Sequence, residues 1–256
     1  MKNKGAVNRI AGELVVFRNS RLVLWCLAFW VFLVIYNIFS VATILQEDVP
    51  GGYYTYEALA QCFIMGIFFP VMVGAFMAGF DTQSKVLDYK LTNQSVKEWF
   101  FGKITVTIVI NFVSVFAVMV VGLLCDMYAN TFSGGIFYNI RLIIVRFFVT
   151  VLVWSFWGIV SFCISLGMEN VITGIVLPLM IFYGEQYISQ FMSIKWGIVK
   201  NISNITSKPF NYSNLPFSPQ IEYGMGLTKS IVYIGGIMGV CMLLSGCLIK
   251  RRYPYK

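Results

Sequence analysis

The stretch from Leu22 to Leu45 contains no charged side chain. It constrains the chain more than any other feature. About 20 apolar residues in a helix, rising 1.5 Å each, cross a hydrocarbon core of about 30 Å. In that core every backbone donor and acceptor must find its partner inside the protein, which leaves helices or closed barrels. Similar apolar runs recur along the chain, so the expected fold class is an all-α integral membrane protein. Of its 256 residues 58% are apolar and 12% charged. A soluble domain carries about a quarter charged residues.

Spans are expected at about 22–45, 58–80, 104–125, 141–166, 171–190 and 230–249, six in one transmembrane domain covering residues 1–256. Before the first of them, Ala6, Ile10, Leu14 and Phe17 recur at helical spacing, with Arg9, Glu13 and Arg18 off the stripe. Residues 1–21 therefore read as an interfacial helix with its apolar side in the lipid. The basic, polar start and the length of the first run argue against a cleaved signal.

Lys and Arg beside apolar spans are held on the cytoplasmic side. The formal charge of +8 is spent this way, clustered at both ends and between the second and third spans, so nucleic acid is not an expected partner. Both termini are placed in the cytoplasm, with Lys250, Arg251 and Arg252 as the closing signal. Gln46 to Glu57 lacks Lys and Arg and goes outside, as do Asp126 to Ile140 and the long segment from Gln190 to Leu227. In that last segment Ile194, Ile198, Ile202 and Ile205 predict an amphipathic helix on the outer surface. Pro209, Pro216 and Pro219 then end any helix. Pro70 predicts a kink in the second span and Pro178 a break in the fifth.

The stretch Phe80 to Lys103 is the one well-charged segment between two long apolar runs. Its second half puts Val96, Trp99 and Phe100 on one face, which suggests an interfacial helix leading into the third span. The chain has no histidine, which removes His-based acid–base and zinc motifs. It has no phosphate-binding G-x-x-x-x-G-K-[ST] loop, no G-x-S-x-G and no H-E-x-x-H. No catalytic, metal or cofactor residue is therefore expected, and any energy for transport comes from an ion gradient or another subunit. The six cysteines form no C-x-x-C pair and read as small buried hydrophobes.

Ionisable residues in lipid are functional candidates by default. Glu57, Asp126, Arg146 and Glu185 fall toward the outer ends of their spans, and Arg146 is placed to pair with Glu185 or Asp126. They form either an outward gate or an ion pair that locks helix packing. Asn111, in mid-span, is expected to hydrogen-bond to a neighbouring helix. The N-x-[ST] matches at Asn201, Asn204 and Asn211 carry little weight.

The architecture resembles the permease subunit of a type-2 ABC exporter, in the group that includes lantibiotic-immunity and antimicrobial-peptide permeases. The resemblance covers nearly the whole chain. Locally, Asp81 stands for the family's acidic residue after the second span, Leu91-Thr92-Asn93 with Ser95 for the middle of its loop, and Gly102-Lys103 for the opening of the third span. The family's Gly-Thr pair is absent, and Gln94 occupies its proline position. The resemblance implies a bacterial plasma-membrane protein that hydrolyses no ATP itself. A cytoplasmic ABC ATPase would dock on a coupling loop comprising Asp81, Lys85, Val86, Leu87, Asp88 and Lys90. A second permease copy, or a homologous one, would complete the unit, and an amphipathic peptide or lipid-like substrate would be expelled. The alternatives are a secondary transporter, favoured by prolines in spans two and five, and a membrane immunity protein that does not transport.

Overall fold

The computed structural model describes residues 52–64, 66–83, 87, 90, 91, 95–128, 132–189, 191, 196–206 and 227–252, and individually Gly12, Ala28, Trp30, Val31, Phe32, Ile35 and Tyr36. The interfacial helix expected over 1–21, most of the first span, the prolines at 209, 216 and 219, and Lys85, Val86 and Asp88 lie outside the described residues. All described elements are helical. In chain order they are α1 (Tyr53–Ile64), α2 (Phe68–Gln83), α3 (Val96–Tyr128), α4 (Phe132–Met168), α5 (Val171–Ser189), α6 (Ile198–Thr206) and α7 (Leu227–Arg252). Helices α3, α4, α5 and α7 are long and apolar enough to cross a membrane, and α1 with α2 makes a fifth candidate, bent by 50°.

Helix α4 is the axis of the bundle and touches each of the other six. Trp154, Phe156, Trp157 and Phe162 along it are almost completely buried. Its most extensive partner is α2, and small residues explain why. A Cβ on Gly74 would fall onto the carbonyl of Gly158, and one on Gly158 would lie 2.9 Å from Asn111 Nδ2 and 3.3 Å from the Pro70 carbonyl. Lipid gives helices no hydrophobic reason to associate, so close backbone approach and interhelical hydrogen bonds must supply it. The Ser161 hydroxyl reaches the carbonyls of Val71 on α2 and Gly174 on α5, and Ser165 donates to the Ala75 carbonyl at 3.0 Å. Asn111 on α3 donates to the Trp154 carbonyl at 3.2 Å, as its mid-span position suggests.

Four sequence expectations are corrected. The bend in the second span precedes Pro70, between α1 and α2. Pro70 lies in the first turn of α2, where a missing N–H breaks no intrahelical bond. At the bend Gly66 N donates to the Gln61 carbonyl and Trp154 Nε1 to that of Cys62, at 3.2 and 3.0 Å. A Cβ on Gly66 would lie 2.6 Å from the Trp30 ring. Helix α5 runs unbroken through Pro178. Residues 96–103 are no separate interfacial helix but the start of α3, with Trp99 and Phe100 buried in protein. Much of the outer loop expected at 126–140 is the first part of α4.

The connection at Gly167 to Asn170 is a tight turn. Glu169 takes the left-handed conformation (φ 52°), and Asn170 N donates to the Ser165 carbonyl at 3.2 Å. The Asn170 side chain accepts from the amides of Ile172 and Thr173, capping α5.

Valine at Gly74 is expected to cost at least the ~1–3 kcal/mol typical of overpacking, since the obstacle is backbone. Thermal unfolding in detergent should show a lower midpoint and reduced monodisperse yield. Gly102→Ala, where a Cβ meets nothing within 4 Å, serves as the neutral control.

Candidate functional site

The last turn of α2 delivers Asp81 into the protein, where it is 2% exposed. Lys103 Nζ lies 2.9 Å from its Oδ2 and Lys90 Nζ 3.1 Å from both oxygens. Trp99 Nε1 donates to Oδ2 at 3.0 Å. A carboxylate at the C-terminal end of a helix meets the negative end of the macrodipole, so these donors offset both that field and desolvation. Trp99 and Lys103 are four residues apart on α3 and so share a face. The Trp99 ring packs on Phe162 of α4, centroids 6.2 Å apart. The cluster thus ties α2, α3 and α4 together at one end of the bundle.

Lys90 comes from the connection between α2 and α3. Leu87 and Leu91, four apart there, are 4% and 3% exposed and belong to the main apolar cluster. This bears on the coupling loop expected at Asp81 to Lys90. Asp81 and Leu87 face inward and offer another protein little surface; Lys90 is partly exposed and already engaged.

Glu57, Asp126, Arg146 and Glu185 share the opposite half of the bundle, where Asp126 and Glu185 both accept from backbone amides. Asp126 accepts from the amides of Tyr54 and Thr55 at 3.2 and 2.9 Å and from the Thr55 hydroxyl, so it caps α1 from α3. One turn earlier Gly122 lets α1 approach, since a Cβ there would lie 2.6 Å from Thr55 Cα. Glu185 accepts from the Lys200 amide at 2.9 Å, in the first turn of α6. The Arg146 guanidinium lies over the rings of Tyr56 and Phe63, 4.9 and 4.3 Å from their centroids. Glu57 accepts from Gln61 at 2.8 Å, one turn along α1.

The sequence reading missed several participants. Trp99 was assigned to the interface and Lys103 only to a family match, yet their i, i+4 spacing after a buried acid was a usable signal. Ser95 and Glu98 form an S-x-x-E pattern at the start of α3, and the Ser95 hydroxyl accepts from the Glu98 amide at 3.2 Å. Arg252, read as a topology signal, pairs with Glu169 at 2.8 Å and donates to the carbonyls of Leu166 and Gly167, closing the C-terminus of α4. Asn201 is 1% exposed, its amide spent on the Gly197 carbonyl and the Ser230 hydroxyl, so its N-x-S match lies inside the fold. Cys62, Cys125, Cys163, Cys241 and Cys247 are free thiols. Among the described residues no three His, Cys, Asp or Glu side chains come together to hold a metal ion.

No family model, curated protein or solved structure matches the chain. Its reading rests on the geometry above.

Asp81→Asn should destabilise by the ~3–5 kcal/mol typical of removing one partner of a buried pair. Asp126→Ala strands two amides and a hydroxyl in the apolar interior and should cost ~1–3 kcal/mol, with Asp126→Asn intermediate. Thermal melts in matched detergent, read by tryptophan fluorescence, check this order.

Proposed function

We propose that the chain is the membrane-spanning permease subunit of an ATP-driven exporter. It expels an amphipathic peptide of the lantibiotic kind, or a lipid-like molecule, with ATP hydrolysed on a separate cytoplasmic ABC ATPase. A second permease copy or a related chain completes the membrane unit.

The observation that carries this reading is the attachment of the α2–α3 connection. Through Lys90 it is fastened to a carboxylate that α3 also holds through Trp99 and Lys103. A protein pressing on the connection therefore acts on two spans at once. The chain has no nucleotide-binding loop of its own, so such a push must originate elsewhere. Lys85 and Asp88, flanking Leu87 in sequence, are the charged positions best suited to contact the ATPase, because Asp81 is committed inside. The secondary-transporter alternative drew on prolines breaking spans two and five, and the continuity of α5 through Pro178 removes half of that pairing.

Two measurements test the proposal. Reconstituted alone in liposomes, the chain should move no candidate peptide uphill under a proton or sodium gradient; uphill movement would overturn the reading. An ABC ATPase gene should lie beside this one, and on co-expression the chain should recover that ATPase on purification; a gene neighbourhood without one would count against the reading. Reversing both charges (Lys85→Glu with Asp88→Lys) should weaken recovery by about tenfold, equivalent to ~1.4 kcal/mol. Undiminished recovery and export would sink the assignment of the contact.

A further inference from the structure

We propose that the two lysines on Asp81 have different jobs: Lys103 is a permanent structural partner, and Lys90 is a releasable latch. The latch fastens the α2–α3 connection and opens without loosening the helices it joins. The inference stands on the geometry of the cluster and goes beyond the exporter reading, since it holds whatever partner acts on the connection.

The asymmetry lies in burial and in backbone support. Lys103 is 4% exposed and sits inside the continuous helix α3, one turn after Trp99 on the same face. No water is at hand to replace Asp81 for so buried an ammonium, and a buried charge left behind would be strongly disfavoured. Lys90 is 24% exposed. Water can replace the carboxylate on a side chain that is already partly exposed, and partly exposed ion pairs exchange partners at small cost. When Lys90 leaves, Asp81 keeps Lys103 and the Trp99 indole N–H, so the carboxylate is not abandoned.

Position gives the latch its effect. Lys90 belongs to the connection and lies beside Leu91, one turn after Leu87, both buried in the main apolar cluster. Leu87, Leu91 and the Lys90 ion pair give three contacts that fasten this part of the connection. Two are apolar and undirected, whereas the third is an ion pair that a charged partner could compete for or water could loosen. Opening Lys90 lowers the barrier to lifting this part of the connection, while the Asp81–Lys103 link keeps α3 in register with α2.

The test uses the full chain in nanodiscs and compares Lys90→Met with Lys103→Met. Hydrogen–deuterium exchange is followed in peptides covering 87–91, 68–83 and 96–110, alongside thermal unfolding. For Lys90→Met, exchange over 87–91 should accelerate about tenfold by local opening, with the helices' exchange and the melting midpoint nearly unchanged. Lys103→Met should lower the midpoint and accelerate exchange in both helices, or fail to fold. Leu87→Ala should accelerate the same segment, which verifies that the 87–91 peptide reports its opening. Unchanged exchange over 87–91 in Lys90→Met overturns the latch. So does a Lys90→Met protein that loses as much stability as Lys103→Met, or that does not fold.

Discussion

The contact of Gly74 with the backbone of Gly158 sets where everything else in the bundle can go. With no side chain between them, α2 and α4 approach until backbone meets backbone. At that separation the hydroxyls of Ser161 and Ser165 reach carbonyls across the seam. In a medium without water such donors have few alternatives, so short interhelical hydrogen bonds and close packing reinforce each other. The same approach carries the end of α2 against α4 and α3, placing Asp81 within reach of Trp99 and Lys103. A wider spacing would leave that carboxylate in a gap it could not occupy as an ion.

Seen from the bundle's ends, four of the described acidic residues follow one rule. Asp126 caps α1, Glu185 the first turn of α6, and Glu169 secures Arg252 over the last carbonyls of α4. Asp81 closes the end of α2 through cations brought from outside it. A helix that ends within or near lipid leaves backbone groups that water cannot satisfy. A chain with few charged residues uses them at those places. This makes a charge-lined path through the bundle a poorer account of Asp126 and Glu185 than the anchoring of helix ends.

Hydropathy made the helical class and most spans legible, because a long run without charge has few other uses. Helix ends were read less well. Pro70 and Pro178 looked like breaks, yet a proline in a first turn disrupts nothing, and α5 absorbs the other without ending. The actual bend needed knowledge of Gly66 against Trp30 and of Trp154 donating to Cys62, both contacts between residues far apart in sequence. Asp81 was singled out only through the family resemblance, as part of a coupling loop, and its inward direction was not legible. Whether such a residue faces out to a partner or in to a lysine depends on the packing of α3, and Trp99 looked equally suited to lipid. Arg146 was correctly singled out as a buried cation, while its aromatic neighbours on α1 lie far away in the sequence.

The geometry of α3 connects the two ends of the protein. Trp99 and Lys103 hold Asp81 near its start, and Asp126 holds the first turn of α1 near its finish. At 1.5 Å per residue these anchors stand about 40 Å apart on one unbroken helix. Helix α1 is separated from α2 by the bend, and it is tied to the rest by the cap and close approach of α3 at Asp126 and Gly122 and by Arg146 and Trp154 of α4. In the proposed exporter, a displacement of α3 begun at the Asp81 end reaches α1 at the far side through Asp126. It does not have to pass along the α1–α2 backbone, where the bend would absorb it. Helix α3 thus gives the Asp81 cluster a connection to α1 that bypasses the bend.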